Sequence, residues 1–215
     1  MHKRTILALL VVAVCGVAPS FLSGESYKFK STWKAPGVGP LSFAGKKVAA
    51  LVITSDQSLQ MSAEEALKRE ITARGPVGVA SYTLVPREEL RDKDKAKPWF
   101  DRAGVEGVVA MRIVDVDKET TYGAVLWTSS YYGNFWDYYG TSWNSVYMIG
   151  TPIGNARQTT TIAVETLLFN VRENKLLWAS VTETTDPKSV GSYMKGLVSA
   201  VVKELQKEGL ARKGS

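Results

Sequence analysis

Past its fifteenth residue the chain contains no cysteine and no histidine; Cys15 and His2 are the only ones it has. No disulfide and no His/Cys zinc site can therefore shape the body of the fold. The same absence removes the Ser-His-Asp triad and the Cys-His pair from the chemistry open to it. Both residues fall in what reads as an export signal, residues 1–24. His2, Lys3 and Arg4 make a short basic start, and Ile6 to Val17 is an apolar run too short for a permanent bilayer span.

Two endings of that signal are open. Lipidation of Cys15 would tether the protein to a membrane, although Val14 is bulky for the position before an acylated cysteine. Ordinary cleavage near Ala18, Ser20 or Ser23 would follow the small residues after the run, with Pro19 breaking any helix. Either ending, or an uncleaved anchor, places the folded part in the periplasm or at the outer membrane.

Removing the signal leaves roughly 190 residues, enough for one well-filled domain and short for two. A hydrophobic content of 45% with 22% charged residues suits a globular chain. The formal net charge is +6, of which Lys3 and Arg4 leave with the signal. What remains is modest and scattered, which fits anionic surroundings and gives no nucleic-acid module. The expected organisation is an extended lead-in over 25–45, a single domain over 46–210 and a short basic tail over 211–215.

Strand and helix signals alternate along that domain. Ser26 to Leu41, with Trp33, Pro36 and Pro40, shows no helical period. Lys46 to Thr54 is an apolar run suited to a strand buried on both faces. Ser62 and Glu65 match a capping box, and Gly75 with Pro76 ends the helix. Val79 to Val85 reads as a second strand, Pro86 to Arg102 as partly helical around Trp99 and Phe100, and Val105 to Val116 as a third strand. Gln158 to Val171 and Leu176 to Thr185 read as an antiparallel hairpin turning at Asn170 to Lys175. A last helix, capped by Asp186 with Pro187 in its first turn, carries a long apolar stripe from Val190 to Leu205 and stops at Gly209. The fold class is α/β in the α+β sense: one mixed sheet in the order β-α-β-α-β, an aromatic loop, then β-β-α, with helices packed on the sheet.

The loop, 122–156, is the unusual part. It carries Trp127, Tyr131, Tyr132, Phe135, Trp136, Tyr138, Tyr139 and Trp143 among Gly, Ser, Thr and Asn, and between Tyr122 and Tyr147 Asp137 is its only charge. Such rings, flat and apolar with a polar edge, suit a protein contact, a bilayer headgroup level or a sugar ring. They also suit a satellite core folded back on the sheet. These eight residues are the candidate binding residues, with Trp127, Trp136 and Trp143 as anchors.

Ser31-Thr32-Trp33-Lys34, Val79-Ala80-Ser81-Tyr82, Gly104-Val105-Glu106-Gly107-Val108, Lys118-Glu119-Thr120 and Leu176-Leu177-Trp178-Ala179-Ser180 together resemble a family of bacterial cell-envelope lipoproteins. The resemblance spans nearly all the mature chain and encodes no known chemistry. More distantly, the element order is similar to the accessory domain of the curli secretion channel and to lipoprotein activators of penicillin-binding proteins. That likeness implies a scaffold or assembly role, with homo-oligomerisation open to it.

Carboxylates offer the rival reading. Asp115, Asp117 and Glu119 alternate and would share one strand face, as a divalent-cation site or a glycosidase pair requires. Met111 and Ile113 occupy that face upstream, which favours a solvated strand end. Glu165 and Glu183 would meet only if the hairpin register allowed it. Expected, then, is a non-catalytic envelope component without cofactor or metal, binding an envelope protein or glycan through the aromatic loop. The alternatives are a carbohydrate- or peptidoglycan-acting hydrolase using Asp115, Asp117 or Asp137, and an oligomeric, membrane-associated secretion accessory.

Overall fold

The computed structural model describes residues 26–115, 134–144, 161–185 and 187–211. Cys15, Trp127, Tyr131, Tyr132, Asp117, Glu119 and Asp186 lie outside them. A six-stranded mixed sheet runs in the order β1-β6-β5-β4-β2-β3, with helices on both faces. The expected single mixed sheet with helices packed on it is the fold observed.

β2 (Lys47–Ile53) is the centre of the parallel part, pairing in parallel with β3 (Val77–Ala80) and β4 (Gly107–Asp115). Its apolar run reads as it does because both faces are covered. Val48, Ala50 and Val52 join the core under α1 (Gln57–Thr72) and α5 (Val190–Lys207). Ala49, Leu51 and Ile53 join the core under α3 (Lys93–Ala103) and α4 (Phe135–Ser142). β5 (Thr161–Asn170) and β6 (Lys175–Thr185) form the hairpin, antiparallel to each other, with Asn174 at φ 50° in the turn. β5 pairs antiparallel with β4.

The lead-in is part of the sheet. β1 (Tyr27–Lys34) pairs antiparallel with β6 as an edge strand. A register shift between Phe29 and Ser31 turns the strand over, so Tyr27 and Phe29 pack beneath α5 while Trp33 packs on the other face. The chain beyond β1 stays tied down: Ala35 N–H donates to the Leu177 carbonyl of β6 at 3.0 Å, and Leu41 N–H to the Leu210 carbonyl past the end of α5 at 2.8 Å. The Phe43 ring lies where a β-carbon at Gly107 would stand, 2.7 Å from it, so a side chain there would lift the loop.

Three boundaries differ from the sequence reading. α1 starts after Asp56, whose carboxylate accepts from Leu59 N–H at 3.0 Å, six residues before Ser62. The second strand ends at Ala80, and Ser81 to Leu84 form a one-turn helix, α2. Tyr82, Thr83 and Val85 are good strand formers, but the fully buried Glu64 of α1 overrides them. Its carboxylate accepts from Val52 N–H (3.0 Å), Gln60 Nε2 (3.0 Å), Ser81 Oγ (2.6 Å) and Tyr82 N–H (2.8 Å). Glu64 thus takes the place of a strand partner for β2 and caps α2. At the last helix the cap is Ser189, which accepts from Ser192 N–H at 3.2 Å, rather than Asp186. The stripe itself is as expected, with Met194, Leu197, Val198, Val201 and Leu205 buried and Gly209 at φ 73° past the end.

Candidate interaction site on the α3 and α4 face

Part of the aromatic segment is a helix. Asn134 Oδ1 accepts from Asp137 N–H at 2.9 Å and its amide nitrogen donates back to the Asp137 carboxylate, so the two close a reciprocal cap on α4. Phe135, Tyr138, Tyr139 and Ser142 then recur at three- and four-residue intervals, and all four are buried. Asp137, a candidate catalytic acid on the rival reading, is occupied by this cap.

The buried rings interlock with α3 and the sheet. Phe135 sits 5.6 Å from Phe100 and 5.5 Å from Phe169, and Tyr138 sits 5.5 Å from Phe169. Tyr139 meets Phe100 edge-on at 6.1 Å and donates its hydroxyl to the Leu90 carbonyl. Burial pushes that hydroxyl's pKa upward. Trp143 is buried beside Tyr139, with ring centroids 6.0 Å apart. For Phe135, Tyr138, Tyr139 and Trp143 the expectation of a contact surface is corrected: they are core. α4 is short and its stripe apolar, so it stays in place only by lying on the sheet.

Trp136 alone of the described candidates is off the stripe. It is half-buried, edge-on to Phe100 at 5.5 Å, with Lys97 Nζ 5.6 Å from its ring centre. On α3 the half-buried Trp99 carries Arg102 at 4.7 Å over its ring and donates from Nε1 to Glu89 at 2.6 Å. Arg91 stands 5.7 Å over Trp143. Cations over indoles hold the aromatic faces while keeping charge in water. The signal for Trp99 was in the sequence, next to Pro98, but without a tertiary partner nothing marked it as part of this face.

Beneath α4 lies a buried polar cluster. Glu165 on β5 stands opposite Arg112 on β4, and its carboxylate accepts from Arg112 Nε at 3.1 Å and from Tyr138 Oη at 3.3 Å. Burial holds the Glu165 carboxyl above the usual carboxylate range, outweighing the pull of the Arg112 guanidinium and the Tyr138 hydroxyl. Burial raises Glu64 likewise, against its four hydrogen bonds. Glu183 is not the partner of Glu165: the register sets Glu165 opposite Val181, and Glu183 pairs with Lys30 at 3.2 Å. Among the described residues no group of three His, Cys, Asp or Glu side chains could hold a metal ion. No described helix is long and apolar enough to cross a membrane.

No protein-family model and no curated protein matches the chain. Solved structures similar to it include the following three. A variant PelC dodecamer from Paraburkholderia phytofirmans in space group C2 is 14% identical, with a TM-score of 0.47 over 87% of this chain and 99% of that one. The PelC dodecamer in space group P6 is 13% identical, with a TM-score of 0.45 over 88% and 99%. Lipoprotein GNA1162 from Neisseria meningitidis is 13% identical, with a TM-score of 0.38 over 75% and 99%.

Proposed function

We propose that this chain is a non-catalytic component of the bacterial cell envelope, binding an envelope partner through the α3 and α4 face with Trp136 as its central contact. The observation that carries this reading is the presence of two half-buried indoles, Trp136 and Trp99, each with a cation over its ring and both packed against the same core of buried aromatics. Half-buried indoles held by rigid neighbours lose little entropy on contact and bury much apolar area. The lack of histidine and cysteine past residue 15 supports a role without catalysis. So does the fate of the buried acids, because Glu64 and Glu165 are each held in a structural hydrogen-bond set, while the Asp137 carboxylate accepts from the Asn134 amide. The basic start and apolar run before residue 18 support export.

A photo-crosslinking residue at position 136, read in intact envelopes against one at the exposed Met61 on α1, tests the reading. A defined adduct from position 136 that is absent from position 61 is the expected result. Equal adducts from both positions, or none from 136, would overturn it.

A further inference from the structure

A cavity of about 280 Å³ opens at the carboxyl ends of β2 and β4, on the α1 and α5 side of the sheet. Its floor is Val52, Ala63, Met111, Val164 and Met194, all buried, and its rim includes the partly exposed Leu59, Pro187 and Val190. The place matters. β2 continues into α1 on this face, whereas the helix following β4, α4, lies on the opposite face. Ligands of open α/β sheets bind in crevices outside the carboxyl ends of the strands, and this cavity stands at those ends of β2 and β4.

We propose that this cavity binds the tail of a single-chain amphiphile, such as a fatty carboxylate. The chemistry follows from the lining. Arg112 is the one charged residue among the described lining residues, and its guanidinium is already held by Glu165. Among the described lining residues no charge is therefore free to pair with a polar ligand, and desolvating one there would be unfavourable. The volume is nearly twice that of a roughly 150 Å³ apolar cavity that admits benzene, and it lies at the low end of small-ligand pockets, about 300 Å³. One chain fits; the two tails of a phospholipid do not. Met111 and Met194 give the walls unbranched, polarisable side chains that adapt to a flexible tail.

A second cavity of about 430 Å³, at the amino ends of the same strands beneath Phe43, is bordered by Met111 but not by Met194. That difference makes a test. Methyl-labelled methionine in the full chain, titrated with dodecanoate, should shift the Met194 and Met111 signals and leave the exposed Met61 unmoved. Ala63→Leu and Val190→Phe, on different helices, should each weaken dodecanoate binding at least tenfold. Cooperative thermal unfolding checks both variants, and the wild-type shifts decide if neither folds. No saturable shift at Met194, a shift at Met111 without Met194, or undiminished binding in a folded plugged variant would overturn the proposal. So would a Met194 shift produced by phosphatidylglycerol vesicles where dodecanoate produces none.

Discussion

At the residue scale, the buried polar groups decide more than the exposed ones. Glu165 is 2% exposed, and its pKa is raised above that of an unfolded glutamate. The folded protein holds a proton that the unfolded chain releases between those two values. Stability from this group is therefore complete below the ordinary glutamate range and is lost as pH rises through the raised value; Glu64 acts in the same sense. The urea midpoint should fall as pH rises above the ordinary glutamate range, and Glu165→Gln should flatten part of that slope. A slope of the opposite sign would contradict the assignment of burial as the dominant cause. On the other face of the sheet, Thr182 is fully buried and its hydroxyl has no hydrogen-bond partner among the described residues. Thr182→Val should raise stability by about 1 kcal/mol in chemical denaturation, because a desolvated hydroxyl is replaced by a methyl group.

At the element scale, α4 separates two roles that one aromatic run had merged. Tyr139→Ala removes a fully buried ring and leaves the Leu90 carbonyl without its donor, so a loss of about 3–5 kcal/mol is expected in urea denaturation. Trp136→Ala removes a half-buried ring from outside the stripe and should cost about 1–2 kcal/mol while weakening partner capture. Similar losses from both would mean that Trp136 belongs to the core. The helix itself was legible in principle: Asn134 followed by Asp137, then apolar residues at 135, 138 and 139, is a helix start and a stripe. The abundance of Gly, Ser and Tyr around it masked that short period. α2 was legible in no such way, since its cap comes from Glu64, seventeen residues away from Ser81.

At the scale of the molecule, the edge strand β1 protects β6. Its register shift and the lysines at 28, 30 and 34 make the outer edge a poor template for another strand. Deleting residues 26–34 would expose the β6 edge, with Trp33 lost from one face and Tyr27 and Phe29 from the other. The truncated protein should run as larger species than the full chain in size-exclusion chromatography at the same micromolar concentration. The close approach of α5 to this strand depends on Gly196, where a β-carbon would collide with the Tyr27 hydroxyl. That hydroxyl donates to the Tyr193 carbonyl at 3.0 Å and ties the edge to the helix.

By itself the sequence determined the sheet-forming runs, the hairpin, the closing helix and the exclusion of thiol and imidazole chemistry, because each is set by local periodicity or by composition. Apolar residues at spacings of two or about four carry their own instruction. Which rings face inward, which acid caps which helix, and that the lead-in becomes an edge strand were decided only by tertiary structure. A tyrosine has the same local preference over a core as over a solvent face, and only the partner across the gap, such as Phe169 under Tyr138 or Lys97 over Trp136, chooses between them.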